Sequence, residues 1–327
     1  MGNCCATSSN VQQHLSTGGE ENLSKETVKR SHRVNVKAAI IEEEQVEPEV
    51  HDPSNQFAKL LDAFPAVSNP KVEAALNIVG EFQFREDDPN DTSLPLLGPY
   101  EIEDNAVYFG QWKKGLRHGR GKQIWPDGSI YEGFWGDNMM NGRGRQIYDD
   151  GAVYEGEWLN GKANGRGKYI QLEGSTYEGE WVDNKQNGNG VEIWPDGTRY
   201  EGQYENGKKH GQGKFSWPDG SKYEGEFQFN YIHGNGTYEW ADRRKKYTGD
   251  WKYNKMDGHG VFTWADGRRY EGEYQDDKKH GYGIFDMPDG RKYKGNWENG
   301  KQHGRGVIIE PDLQERQGFW DKGKKIK

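Results

Sequence analysis

The feature that most constrains this chain is a spacing. Tyrosines stand at Tyr108, Tyr131, Tyr154, Tyr177, Tyr200 and Tyr223, each 23 residues after the last; one step of 24 leads to Tyr247, and steps of 23 resume at Tyr270 and Tyr293. That count makes nine units, and a tenth opens at Arg316 with Gly318 and Trp320 in their places. A fixed period of this length belongs to a repeat architecture, in which each unit packs on its neighbours and the ends need caps.

The unit reads as a β-hairpin. From Tyr200 to Tyr204 aromatic, charged, glycine, polar and aromatic residues alternate, the pattern of a short strand with two unlike faces. Asn206-Gly207 supplies the positive φ angles of a tight turn. The second run keeps the alternation, with Gly211, Gly213, Phe215 and Trp217 on one side and Gln212, Lys214 and Ser216 on the other. Pro218-Asp219-Gly220 is a second turn, and consecutive hairpins continue as an antiparallel meander.

Large rings gather on one face. They occupy the first position (Tyr131, Tyr154, Tyr177), the fifth (Trp135, Trp158, Trp181) and the eighteenth (Trp194, Trp217), with glycines such as Gly133, Gly142 and Gly144 between them. Glycine weakens a strand, so its regular use here predicts rings of one unit lying on the bare backbone of the adjoining unit. An aromatic-over-glycine layer then replaces an aliphatic core, each buried ring contributing about 1.5–3 kcal/mol. These eight rings also line a groove that a partner would read.

Composition agrees with such a layer. Hydrophobic residues are 31% of the chain and mean hydropathy is −1.15, too polar for a conventional core in 327 residues, whereas 46 glycines and 12 tryptophans suit rings on backbone. Net charge near −9 argues against nucleic acid as a partner, because phosphate neutralisation needs a basic surface. No run of 18 apolar residues is present to span a membrane. The two cysteines are adjacent, Cys4 and Cys5, so no disulfide framework arises and a reducing, cytosolic setting is expected.

The unit resembles the MORN repeat, whose motif is close to Tyr-Glu-Gly-x-Trp-x-x-Gly-x-x-His-Gly-x-Gly, and the match runs from Tyr108 to about Trp320. The resemblance implies a mainly β fold: an elongated single-layer antiparallel sheet of tandem hairpins used for scaffolding, self-association and membrane or cytoskeletal attachment. Where similar arrays accompany lipid kinases or a SET-domain methyltransferase, the chemistry lies in another domain.

Met1-Gly2-Asn3-Cys4-Cys5 carries a second resemblance, to an N-myristoylation site at Gly2 with S-palmitoylation sites at Cys4 and Cys5; Ala6 departs from the preferred Ser or Thr. One myristoyl chain binds membranes only marginally, so a second acyl group at either cysteine would complete the anchor. Residues 1–55 read as a disordered tether, too polar to order themselves. Residues 56–99 read as two short amphipathic helices and a loop that cap the open edge of the array. Phe57, Leu60, Leu61 and Phe64 give the first helix its spacing, and Val72, Ala75, Leu76 and Val79 the second. The array occupies residues 100–327.

Inside the array, Arg243, Arg244, Lys245 and Lys246 replace a Pro-Asp-Gly turn, and Arg268 and Arg269 follow one unit later. These cations are candidate contacts for anionic lipid or an acidic partner. The twin lysines Lys208-Lys209 and Lys278-Lys279 are read into the opposite set of turns.

Reactive chemistry finds no foothold. His118, His210, His233, His280 and His303 recur at one position, but neighbouring copies are two strands apart, about 9–10 Å, against about 4 Å between nitrogens on one metal. Gly-x-Gly-Lys stretches lack the first glycine and the Ser or Thr of a phosphate loop. No cofactor, metal or nucleic acid is expected, and no enzyme activity. The expectation is a membrane-associated scaffold at the cytoplasmic face, presenting its surface to proteins, phospholipids or, through edge or groove, a second copy. The alternatives are a structural subunit of a ciliary or cytoskeletal assembly and, on analogy, a regulator of phosphatidylinositol phosphate kinase signalling.

Overall fold

Each unit is one hairpin. In the fifth, Arg199–Glu205 and Lys208–Ser216 pair antiparallel, with Tyr200 opposite Phe215 and Gly202 opposite Gly213. The register then shifts so that Tyr204 faces Lys209. Four steps along the chain from Gly213 back to Lys209 therefore oppose two from Gly202 to Tyr204. The excess is even, so this bulge leaves every side chain on its own face. Gly211 inside it adopts a φ of 63°, which costs glycine nothing.

The computed structural model describes residues 59–242 and 244–327. Gly2, Cys4, Cys5, the tether through residue 55 and Arg243 lie outside the described residues. Strands from β3 (Val107–Lys113) to β21 (Glu315–Asp321) each pair with the next. β2 (Leu96–Glu101) lies along β3, β1 (Lys59–Leu60) along β2, and β22 (Lys324–Lys325) along β21, giving a 22-stranded antiparallel sheet among the described residues. These residues fall into two compact units, 59–187 and 188–327.

In residues 59–187 the ring layer occupies one face and a second core the other. That core joins Val107, Ile124, Ile130, Ile147 and Val153 of the strands to Val72 and Ala75 of a helix, α1 (Pro70–Val79), with Leu61, Phe64 and Val67 packed against it. Asn69 starts the helix: its side chain accepts from the Lys71 amide, Pro70 takes the first turn, and Gly80 closes it at a φ of 68°. The Asn69 amide also donates to the carbonyls of Asp127 and Asp149, fastening the helix to two successive turns at 3.0 and 2.8 Å.

Two expectations are corrected here. Among the described residues one α-helix forms instead of two, because Lys59 and Leu60 pair with Glu101 and Tyr100 as a strand. The expected first helix, spaced by Phe57, Leu60, Leu61 and Phe64, is short enough to be marginal in isolation, and the open edge of β2 offers backbone partners at once. The helix that does form covers a face, whereas the edge is closed by β2 and β1. What draws it there is the aliphatic row Val107, Ile124, Ile130, Ile147 and Val153, which would otherwise face water.

Residues 188–327 carry the same hairpins without such a cover among the described residues. Their ring face is richer: Trp194, Phe215, Trp217, Tyr238, Trp240, Phe262, Trp264 and Phe285 form an unbroken ribbon with centroids 4.2–6.0 Å apart.

Candidate functional site

The ring layer is built one tyrosine at a time. Tyr131 lies over Gly133 and Gly144, which are cross-strand partners in its own hairpin, and its hydroxyl donates to the Phe134 carbonyl at 2.9 Å. Tyr154, Tyr200, Tyr223, Tyr247, Tyr270 and Tyr293 repeat the arrangement, each bonded to the carbonyl three residues on. The expectation that a tyrosine rests on the adjoining unit's glycines is thus corrected. The glycine two residues on and its cross-strand partner in the same hairpin share its face and lie beneath the ring.

Neighbouring units meet ring to ring. Tyr131 touches Trp158 at 5.5 Å and Tyr154 touches Trp181 at 5.1 Å, nearly perpendicular in both cases. The indole N–H of Trp158 reaches back to the Gly144 carbonyl at 3.0 Å and that of Trp181 to the Gly167 carbonyl at 3.1 Å. Edge-to-face pairs of this kind add about 0.5–1.5 kcal/mol beyond area burial.

Of the groove residues, Tyr131, Trp135, Tyr154, Trp158, Tyr177, Trp181 and Trp217 are buried and Trp194 is half-buried. Their surface is spent on one another. Burial holds the phenols of Tyr108, Tyr131 and Tyr154 well above the usual tyrosine range, and pushes Tyr293 up to about 12. These hydroxyls are structural donors, each bonded to a backbone carbonyl.

Two cations enter the layer from positions read as turns. Lys209 is 5% exposed; its ammonium lies 2.7 Å from Glu192 and over the rings of Trp194 and Tyr200, and Glu192 also accepts from the Tyr204 hydroxyl at 2.9 Å. Lys279 is surrounded by Trp264, Tyr270, Phe285 and Trp297, all within 5.0 Å of their centroids. Both lysines face a tyrosine at the fifth position where other units have tryptophan or phenylalanine. A cation at this position also packs on a ring where the fifth residue is tryptophan: Arg117 faces Trp112 and lies 4.7 Å from the Trp135 centroid.

On the opposite face the fourth residue closes the bulge in five units. Gln111, Gln203, Glu226, Asp250 and Glu273 accept from the amides of Arg120, Gln212, Asn235, His259 and Tyr282 at 2.7–3.1 Å. Sequence reading assigned these residues no role. In residues 59–187 this face holds the segment after α1. Arg143 binds Asp88 at 2.6 Å and lies over Phe82, Arg120 stacks on Phe84, and the buried Arg145 donates to the Gly80 carbonyl and pairs with Glu132. The Arg143 hydrogen bond holds the Asp88 carboxyl below the usual carboxylate range.

The candidate cations lie along the other set of turns. Arg268 pairs with Asp266, Arg269 with Glu271, and Lys246 with Glu239, while Arg244 and Lys245 belong to the turn itself. The histidines line the hairpin margin beside carboxylates: His118 and Asp137 at 3.3 Å, His210 and Glu205 at 3.4 Å, His303 and Glu298 at 3.4 Å. Among the described residues no three His, Cys, Asp or Glu side chains gather to hold a metal, and no helix is long and apolar enough to cross a membrane.

The model of the MORN repeat family matches residues 108–130, 131–153, 154–175, 177–199, 200–222, 223–243, 247–268, 270–290 and 293–312. The chain belongs to the MORN repeat family. No curated protein sequence matches it. Among solved structures, a variant of the TCP10 domain of Danio rerio CPAP is 12% identical, with a TM-score of 0.30 over 68% of this chain and 96% of that one. The TCP domain of Drosophila melanogaster SAS-4, solved with a proline-rich motif of Ana2, is also 12% identical, with a TM-score of 0.24 over 73% and 99%. Likeness at that level carries no argument about this chain. The MORN units themselves mark it as a repeat protein.

Proposed function

We propose that this MORN protein is a non-enzymatic scaffold held at the cytoplasmic face of a membrane by fatty acyl groups on Gly2 and on Cys4 or Cys5. The observation that carries this reading is the placement of the chain's two cysteines beside Gly2, ahead of an array whose rings are consumed by their own packing. Such an array has side chains to present and none poised to react. Arg243, Arg244, Lys245, Lys246, Arg268 and Arg269 would add contacts to anionic headgroups, worth about 1 kcal/mol for each charge that is not already paired.

The test is fractionation of cells expressing the full chain, with alkynyl fatty-acid labelling. The wild type is expected in the membrane fraction with label attached. Gly2→Ala, and the double change Cys4→Ser with Cys5→Ser, should lose the label and move to the soluble fraction. Retention of both variants on membranes would refute the anchor, and recovery of the wild type in detergent-insoluble cytoskeleton would replace it with a structural role in such an assembly.

A further inference from the structure

We infer that Phe229, Tyr231 and Tyr253 form a docking ridge for a proline-rich segment of another protein in the polyproline II conformation. The three depart from the repeat together. At the first turn residue, other units carry Asn, Asp or Lys, as at Asn160, Asn206, Asp276 and Lys322; only the sixth and seventh carry rings. Phe229 and Tyr253 both sit at a φ of 49°, the left-handed region that Asn, Asp and Gly adopt readily and a bulky side chain does not. Tyr231 stands where most units have lysine. All three are open to solvent, 52%, 45% and 57% exposed. Strain accepted for rings that bury little of themselves marks a site used by something outside the chain.

Geometry selects the occupant. Tyr231 and Tyr253 meet at 90° with centroids 5.6 Å apart, making a notch, and Phe229 flanks it against His210 at 5.2 Å. The tips are held in place: Asn230 exchanges hydrogen bonds with Lys209, and Asn254 with Ile232. Successive tips are two strands apart, about 9.4–9.8 Å. A polyproline II helix presents every third residue on one side at about 9.3 Å, so prolines at i and i+3 fall in step with Phe229 and Tyr253. Among the described residues neither the Tyr231 nor the Tyr253 hydroxyl has a hydrogen-bond partner. A proline-rich chain brings the complement, free carbonyls and few N–H groups. The nearby Lys255 is paired with Asp276, which favours a neutral peptide over an anionic surface.

The experiment uses the full chain and a fluorescent synthetic polyproline peptide, read by anisotropy, beside a peptide of equal length with every proline replaced by alanine. Saturable binding of the polyproline peptide is expected, weakened about tenfold or more by Phe229→Asn with Tyr253→Asn, and likewise by Tyr231→Lys. These changes install residue types that other units already use, so the fold is preserved; an undiminished melting temperature checks it. No binding, equal binding of the alanine peptide, or binding indifferent to the three substitutions would each overturn the assignment. So would substitution-sensitive sedimentation with phosphatidylcholine–phosphatidylserine vesicles in the absence of peptide binding, which would make the ridge a membrane contact.

Discussion

Residues 107–170 and residues 199–292 run the same hairpin over the same ring layer, and they part company on the other face. The row that reads Val107, Ile124, Ile130, Ile147, Val153 and Ile170 in the first becomes Arg199, Ser216, Lys222, Glu239, Lys246 and onward to Arg269, Asp286 and Lys292 in the second. The aliphatic row recruits α1 and buries Val72 completely, whereas the charged row is a ladder of ion pairs, Lys222 to Glu239 at 3.0 Å and Lys292 to Asp286 at 3.1 Å. One layer therefore specifies the repeat. The other is free to choose between a cover and open water.

If the ring layer is common property, damage to it should be equal in the two regions. A Cβ on Gly144 would lie 2.7 Å from Tyr131 Cε2, and one on Gly236 2.6 Å from Tyr223 Cε2. Gly144→Ala and Gly236→Ala are each expected to cost about 3 kcal/mol, read as a fall in urea midpoint. A large inequality would mean that one region relies on its second face instead.

The cover should matter to one region only. Val72→Asp buries an unpaired carboxylate against the aliphatic row and is expected to cost about 2–3 kcal/mol, limited by undocking of α1. Hydrogen exchange should quicken in strands of residues 107–170 and stay unchanged in those of 199–309. Acid offers a subtler lever on the same contact. The folded-state pKa of Asp88 lies below its unfolded value through Arg143, so its stabilisation is present above the unfolded value and disappears as pH falls through the folded one. Asp88→Asn should remove this pH dependence of α1 docking, followed by backbone amide shifts near Gly80.

Smaller effects belong to the open region. Phe229→Asn relieves a left-handed ring and is expected to raise stability by about 1 kcal/mol, seen as a higher melting temperature. Glu239→Gln, which breaks the link between Lys222 and Lys246, should cost less than about 1 kcal/mol and less again at high salt. A substantial, salt-independent loss would mean that the ladder is structural after all.

Much of this was legible in the sequence. The period, the hairpin, both turn types and the ring face follow from local chemistry repeated nine times. What escaped depends on neighbours. Which glycine a tyrosine covers is decided by the Phe134-type carbonyl that its hydroxyl can reach. Lys209 enters the ring layer because the strand begins one residue after the turn and the bulge is even. The covered face could have been read from Val107, Ile124 and their equivalents, had that row been followed across units instead of along one. The role of Lys59 and Leu60 could not, since their spacing with Leu61 and Phe64 fits a helix and only the waiting edge of β2 makes the two a strand.

One feature of the hairpin tips governs how the molecule can vary. Asn138, Asn184, Asn230 and Asn254 each close a two-way clasp with the preceding unit, their N–H donating to a carbonyl there and their side-chain oxygen accepting from the same residue's N–H. That margin is a hem sewn at constant stitch length. The Pro-Asp-Gly turns bond within themselves, Gly197 to Trp194 and Gly220 to Trp217, and it is on their side that the one 24-residue unit keeps its extra residue. Foreign loops would be borne there without disturbing the seam, so new specificities have a place to be grafted.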